Sequence, residues 1–257
     1  MIIVVELKVS LNFTIVGLGK IVTFVTILGY LTPILGADSV DFSTDPKPYG
    51  KSLEEWAKEF WQWNVGLPPG EIPKDPKTNL DKCIVGSDRQ GVMIFLLEPY
   101  DLTYSSKCNV SSEHPILVPL LIGECDPTVP EPRTKTGKIQ DLWSCAKDAD
   151  EGFLAWEVSL DNRVLFKRAG SEEVNANLKD KILVRNSSLF NITMPDVNRY
   201  EVVGGIYPAV VDGYYLILNP LSPGEHTLTY KFTQQQKIPG ADLSYVNADA
   251  KYLLTVN

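Results

Sequence analysis

Hydrophobic and polar positions along the chain change rhythm once, after a single helical stretch. Between Ser52 and Val65 apolar residues recur at three- and four-residue steps. Leu53, Trp56, Phe60 and Trp63 share one face, and Glu54, Glu55, Lys58, Glu59 and Gln62 take the rest. Ser52 followed by Glu55 predicts a capping box at the start of this helix, and Gly66 with the pair Pro68-Pro69 predicts its end. Bulky aromatics at this spacing read first as a seal over a sheet. Trp61 falls off the stripe, near Lys58, and is the tryptophan expected to face a groove.

Beyond the helix the pattern becomes strand-like. Segments 91–97 (GVMIFLL) and 115–122 (PILVPLLI) are short apolar runs of the kind that form buried strands. In FLAWEVSLDNRVLFKR, Leu154, Trp156, Val158 and Leu160 alternate with polar or small residues, and Asp161-Asn162 supplies a tight turn into a second strand. In YPAVVDGYYLILNP, Asp212-Gly213 is expected to turn the chain in the same way, because the pair accepts positive φ. Ser222-Pro223-Gly224 then turns into HTLTYKF, and YLLTV forms a last strand. Apart from the Ser52 helix, only the stretch around Trp143 reads as helical. The pattern predicts a mainly β fold: an antiparallel β-sandwich, immunoglobulin-like or jelly roll, with the short tryptophan-rich helix packed against it.

Taken in order, YGKSLEEWAKEFWQW, a cysteine-bounded strand pair, VSLDNRVL, VVDGYYLILNPLSPGEHTLTYKF and YLLTV resemble a family of exported bacterial and archaeal proteins without an assigned function. The resemblance covers nearly all of residues 49–256. The tryptophan-rich helix and the DGY...PLSPGEHT segment carry it together. Phe60 stands where the family pattern has a further tryptophan, and Asn162 where a glycine would complete an Asp-Gly turn. The resemblance implies export, and it brings no catalytic residues.

The N-terminal segment agrees with export. After Lys20, Ile21 to Ala37 is seventeen residues without a charge, ending in small residues. That is the pattern of a cleaved signal peptide over 1–37, ahead of a single domain over 38–257. A spanning helix needs about 20 apolar residues, so a retained anchor would have to enlist 11–19 and tolerate Lys20. Membrane contact is expected only through this segment, if it is kept. The net charge of −8 and the absence of a basic run exclude nucleic acid as a partner.

The four cysteines, Cys83, Cys108, Cys125 and Cys145, lack metal-binding C-x-x-C spacing and suit disulfides in an oxidising compartment. Three pairings are open to them. The sequential one, Cys83 with Cys108 and Cys125 with Cys145, closes two loops of moderate length. Sequons at Asn109, Asn186 and Asn191 add candidate glycosylation sites.

Chemistry is sparse. There is no G-x-S-x-G elbow, and the two histidines, His114 and His226, are too few for a copper or zinc centre. His226, at the start of a strand, reads as a turn cap. The acidic cluster DADEG lacks a calcium-loop pattern. No cofactor, metal or catalytic residue is expected. The reading is an exported, non-catalytic module of the extracellular space or cell surface that binds a glycan or a cell-surface protein, with Trp61, Tyr214 and Tyr215 as aromatic contacts. The alternative is a hydrolase acting on extracellular polymers through acidic residues that the sequence does not single out.

Overall fold

A computed structural model describes residues 42–69, 83–96, 103–129, 138–148, 153–169, 172–174, 176–236 and 244–257, all in the unit Ser39–Asn257. The apolar leader and residues 149–152 of the acidic cluster lie outside the described residues. In chain order the strands are β1 (Val85–Ser87), β2 (Ile94–Leu96), β3 (Thr103–Val110), β4 (Ile116–Cys125), β5 (Phe153–Leu160), β6 (Arg163–Ala169), β7 (Glu172–Val174), β8 (Leu183–Val184), β9 (Phe190–Met194), β10 (Gly205–Leu218), β11 (Gly224–Gln236) and β12 (Ser244–Val256). Helix α1 (Leu53–Val65) precedes them, and α2 (Leu142–Asp148) lies between β4 and β5.

Two six-stranded sheets result among the described residues. One has the order β1-β2-β4-β10-β8, with β9 also paired to β10. The other runs β3-β12-β11-β5-β6-β7. Pairing is antiparallel except for β2 with β4 and β3 with β12, which are parallel. The expected sandwich is therefore present, in a mixed form. Its core joins Ile116, Val118, Tyr214, Leu216 and Leu218 of the first sheet to Trp156, Val158, Leu160, Leu228, Tyr230 and Leu254 of the second.

The first sheet has a second apolar face. Phe95, Leu117, Val211, Tyr215 and Ile217 meet Trp56, Phe60, Trp61 and Val65 of α1 there. Every residue of β4 is buried in consequence. This is why 115–122 reads as an unbroken apolar run rather than as an alternation: a strand covered on both sides has no polar face to present.

The hairpin at Asp161-Asn162 forms as expected, with φ of 51° and 65° at the two turn residues. Asp212-Gly213 behaves differently. β10 runs straight through it, and its register with β4 slips between Tyr214 and Tyr215. Gly213 has φ 120°, and a Cβ there would collide with the Leu121 carbonyl. The glycine thus permits close approach of two backbones inside a sheet. The Asp212 carboxylate is buried, pairs with Arg185 and accepts the backbone N–H of Asn186 at 3.1 Å. A turn-like dipeptide has been used as an irregularity within a strand.

Disulfides Cys83–Cys108 and Cys125–Cys145 are both formed, with Cα separations of 5.1 and 6.0 Å. The first links the segment before β1 to β3, and so joins one edge of each sheet. The second fastens α2 to the end of β4, where Leu142, Ala146 and Val210 close a small apolar cluster.

Candidate functional site

The three aromatic residues expected to make contacts are inside. Relative exposure is 5% for Trp61, 4% for Tyr214 and 0% for Tyr215. Tyr214 and Tyr215 are neighbours in β10 and project into opposite cores, Tyr214 between the sheets and Tyr215 beneath α1. Trp61 donates its indole N–H to the Tyr215 hydroxyl at 2.8 Å. The expectation that Trp61 faces a groove is therefore corrected. The buried arc of α1 is centred on Trp56, Phe60, Trp61 and Asn64, which turns the helix so that Trp63 comes to the border of the core.

An open recess of about 410 Å³ lies on that border. α1 supplies Lys58, Glu59, Gln62 and Trp63, the β1–β2 turn supplies Ser87, Asp88 and Arg89, and β9 supplies Phe190 and Asn191. Trp63 is fixed by Phe60 and Phe95, whose ring centroids are 5.7 and 5.8 Å away. Its indole also lies so close over Gly86 that any Cβ there would collide with it. Only glycine at position 86 leaves the ring where it is.

Most polar groups of the wall already have work within the fold. Gln62 accepts the N–H of Thr193 at 2.9 Å and donates to its carbonyl at 2.8 Å, so that α1 is clamped to β9. Lys58 bonds Glu54 at 2.6 Å and Ser188 at 2.7 Å. The Glu54 carboxyl loses hydration on burial, yet its bonds to Lys58 and Ser188 prevail and hold its pKa below the ordinary value. Glu59 pairs with Lys51 at 2.5 Å. Asp88, buried, accepts the backbone N–H groups of Val92, Met93 and Gln90 at 2.6, 2.8 and 3.2 Å, and so shapes the turn that carries Arg89 outward.

Among the described residues, Trp63 Nε1 and the side chains of Arg89 and Asn191 have no hydrogen-bond partner. The contrast with the other α1 tryptophans is direct: Trp56 donates to the Pro48 carbonyl at 2.8 Å and Trp61 to Tyr215. The recess thus presents one immobilised, half-buried indole, two sets of unengaged N–H donors and an amide. Such a set is suited to a flat, oxygen-rich ligand. The sequence signalled none of this grouping, since Trp63 looked inward and Arg89 belongs to an ordinary S-D-R-Q-G turn. Asn109, Asn186 and Asn191 are all exposed, and only Asn191 is in the recess wall.

A second cluster joins two turns. The His226 ring donates from Nδ1 to Asp161 Oδ2 at 2.7 Å and from Nε2 to the Ser222 carbonyl at 2.8 Å, with Ser222 Oγ 3.4 Å from the same nitrogen. The three residue types are those of a hydrolytic triad, but the arrangement has the wrong proton inventory. A carbonyl can only accept, so Nε2 carries a hydrogen and has no lone pair with which to take one from the serine. His226 is a clasp between the β5–β6 turn and the β10–β11 connection, consistent with a turn-capping role.

No helix among the described residues is long and apolar enough to cross a membrane, and no group of three or more potential metal ligands occurs among them. Comparison with known proteins brings no match to a family model, a curated protein or a solved structure. The molecule is defined by its own architecture: a two-sheet sandwich with a tryptophan-rich helix on its outer face and an aromatic recess at the rim of that helix.

Proposed function

We propose that the chain is an exported, non-catalytic module of the extracellular space or cell envelope, and that its recess beside Trp63 binds a saccharide. The division of labour in the recess carries this reading: the carboxylates are committed to Lys51 and to backbone amides, while the part of the Trp63 indole that reaches the recess and the donors of Trp63 and Arg89 are left for a ligand. Pyranose rings present C–H faces to an aromatic plane and hydroxyl oxygens to donors around it, which is the complement of this set.

Export is supported by several independent features. Two disulfides suit an oxidising compartment. The leader has the form of a signal peptide, and the exposure of Asn109, Asn186 and Asn191 favours their glycosylation. A cell-surface protein is the second reading for the partner. It is favoured by Val197, Val203 and Ile206 around the β9–β10 connection, which are 66%, 78% and 68% exposed.

Screening protein produced without glycosylation, so that Asn191 is bare, on a glycan array tests the first reading. Binding is expected to be lost in Trp63→Ala and Gly86→Ala, the second of which displaces the indole, and to be weakened in Arg89→Gln. It should persist in Trp61→Phe. Absence of saccharide binding, or binding untouched by Trp63→Ala, would overturn the assignment of the recess.

A further inference from the structure

The sequon Asn191-Ile192-Thr193 lies in β9, where Ile192 is fully buried and Asn191 and Thr193 both project outward. Asn191 is part of the recess wall, together with Trp63, Arg89 and Phe190. We infer that a glycan carried on Asn191 folds back into the recess, so that modification of this one residue decides whether the recess is open to a foreign saccharide. The inference rests on the reading of the recess as a saccharide seat.

Three observations meet here. The acceptor amide is exposed and has no protein partner among the described residues, so its Nδ2 can carry a substituent without breaking a bond of the fold. The adjoining surface is the half-buried indole of Trp63, held rigid by Phe60, Phe95 and Gly86, whose part in the recess wall offers a first sugar a fixed apolar contact. Attachment at the wall also makes the encounter intramolecular, so even a weak stack is populated.

The transfer joins Asn191 Nδ2 to the anomeric carbon of a glycosyl pyrophosphate donor. The bond from that carbon to the pyrophosphate oxygen breaks, and the amide proton leaves with the pyrophosphate-bearing carrier. An oligosaccharide transferase of the export route catalyses the step, and its carrier-linked glycosyl pyrophosphate is the donor. Because β9 is paired to β10 and Thr193 is held through its backbone by Gln62, the transfer falls on the chain before α1 docks.

The test uses protein secreted by its native cell. Glycopeptide mass spectrometry reads occupancy of Asn191, and limited oxidation with N-bromosuccinimide, mapped by peptide, reads access to Trp63. Trp143, half-buried and bonded to the Ser187 carbonyl at 2.9 Å, is the internal reference. Asn191 is expected to be modified, and Trp63 oxidation, relative to Trp143, to be several-fold slower than in Thr193→Ala, which removes the hydroxyl that completes the sequon and keeps the backbone that Gln62 grips. Asn191→Gln should match Thr193→Ala. An unmodified Asn191, or equal Trp63 oxidation in both forms, would overturn the inference. Equal, positive glycan-array binding by wild type and Thr193→Ala would also overturn it, leaving the saccharide assignment intact. No array binding by Thr193→Ala would overturn the saccharide assignment and, with it, the inference that rests on it.

Discussion

Trp61 and Tyr215 are joined by a hydrogen bond of 2.8 Å from indole nitrogen to phenol oxygen, inside the layer between α1 and the first sheet. Residues 154 positions apart in sequence thus fix the rotation of the helix on the sheet. Burying both polar atoms is tolerable because each satisfies the other.

The first prediction follows from that pair. Trp56→Ala and Trp61→Ala should each destabilise the fold by about 3 to 5 kcal/mol, the range for emptying a large aromatic site. Trp61→Phe, which keeps most of the volume but takes from the buried Tyr215 hydroxyl its indole partner, should cost about 1 to 3 kcal/mol. Trp63→Ala should cost less than the other two alanine replacements. Urea denaturation measures all four, and a Trp61→Ala protein as stable as wild type would disprove the packing described.

The second concerns His226. Burial of the ring opposes its charge, but the bonds to Asp161 and the Ser222 carbonyl, with the charges of Asp161 and Glu225, outweigh that and place its pKa above the ordinary 6.5. A raised folded pKa means that the clasp stabilises in full below the unfolded pKa and is lost as pH rises through the folded one. The melting-temperature difference between wild type and His226→Gln should therefore be largest near pH 5 and shrink towards about pH 9. A difference independent of pH would remove the charged clasp.

The third concerns the bridges. Non-reducing peptide mapping should join Cys83 to Cys108 and Cys125 to Cys145, bridges spanning 25 and 20 residues of sequence. Replacing either pair by serine should lower stability by about 2 to 4 kcal/mol. A Cys83 to Cys145 peptide would contradict the observed pairing.

The sandwich, the capping box and the Asp161 hairpin were legible in the sequence because each rests on local signals: alternation, a Ser-x-x-Glu spacing, a dipeptide with positive φ. Asp212-Gly213 carried the same local signal as a turn and became part of a strand. What decides there is the approach of β4, a segment about ninety residues away in the chain, invisible to any local pattern. The candidate site was legible only in its ingredients. An aromatic-rich helix near a ligand surface was anticipated, but helical spacing alone could not say which arc a sheet covered on both faces would claim. Trp61 was taken inward, Trp63 was left at the rim, and Arg89 and Asn191 came to it from distant turns and strands.

The position of β12 has a consequence for the order of assembly. It lies between β3 and β11, parallel to one and antiparallel to the other, and Asn257 bonds onward to Val110 and Ser112. Among the described residues β12 is the neighbour through which β3 joins the second sheet. Strand β3 therefore waits for a segment more than a hundred residues later in the chain before it can take its place over the core, and such distant pairing is slow.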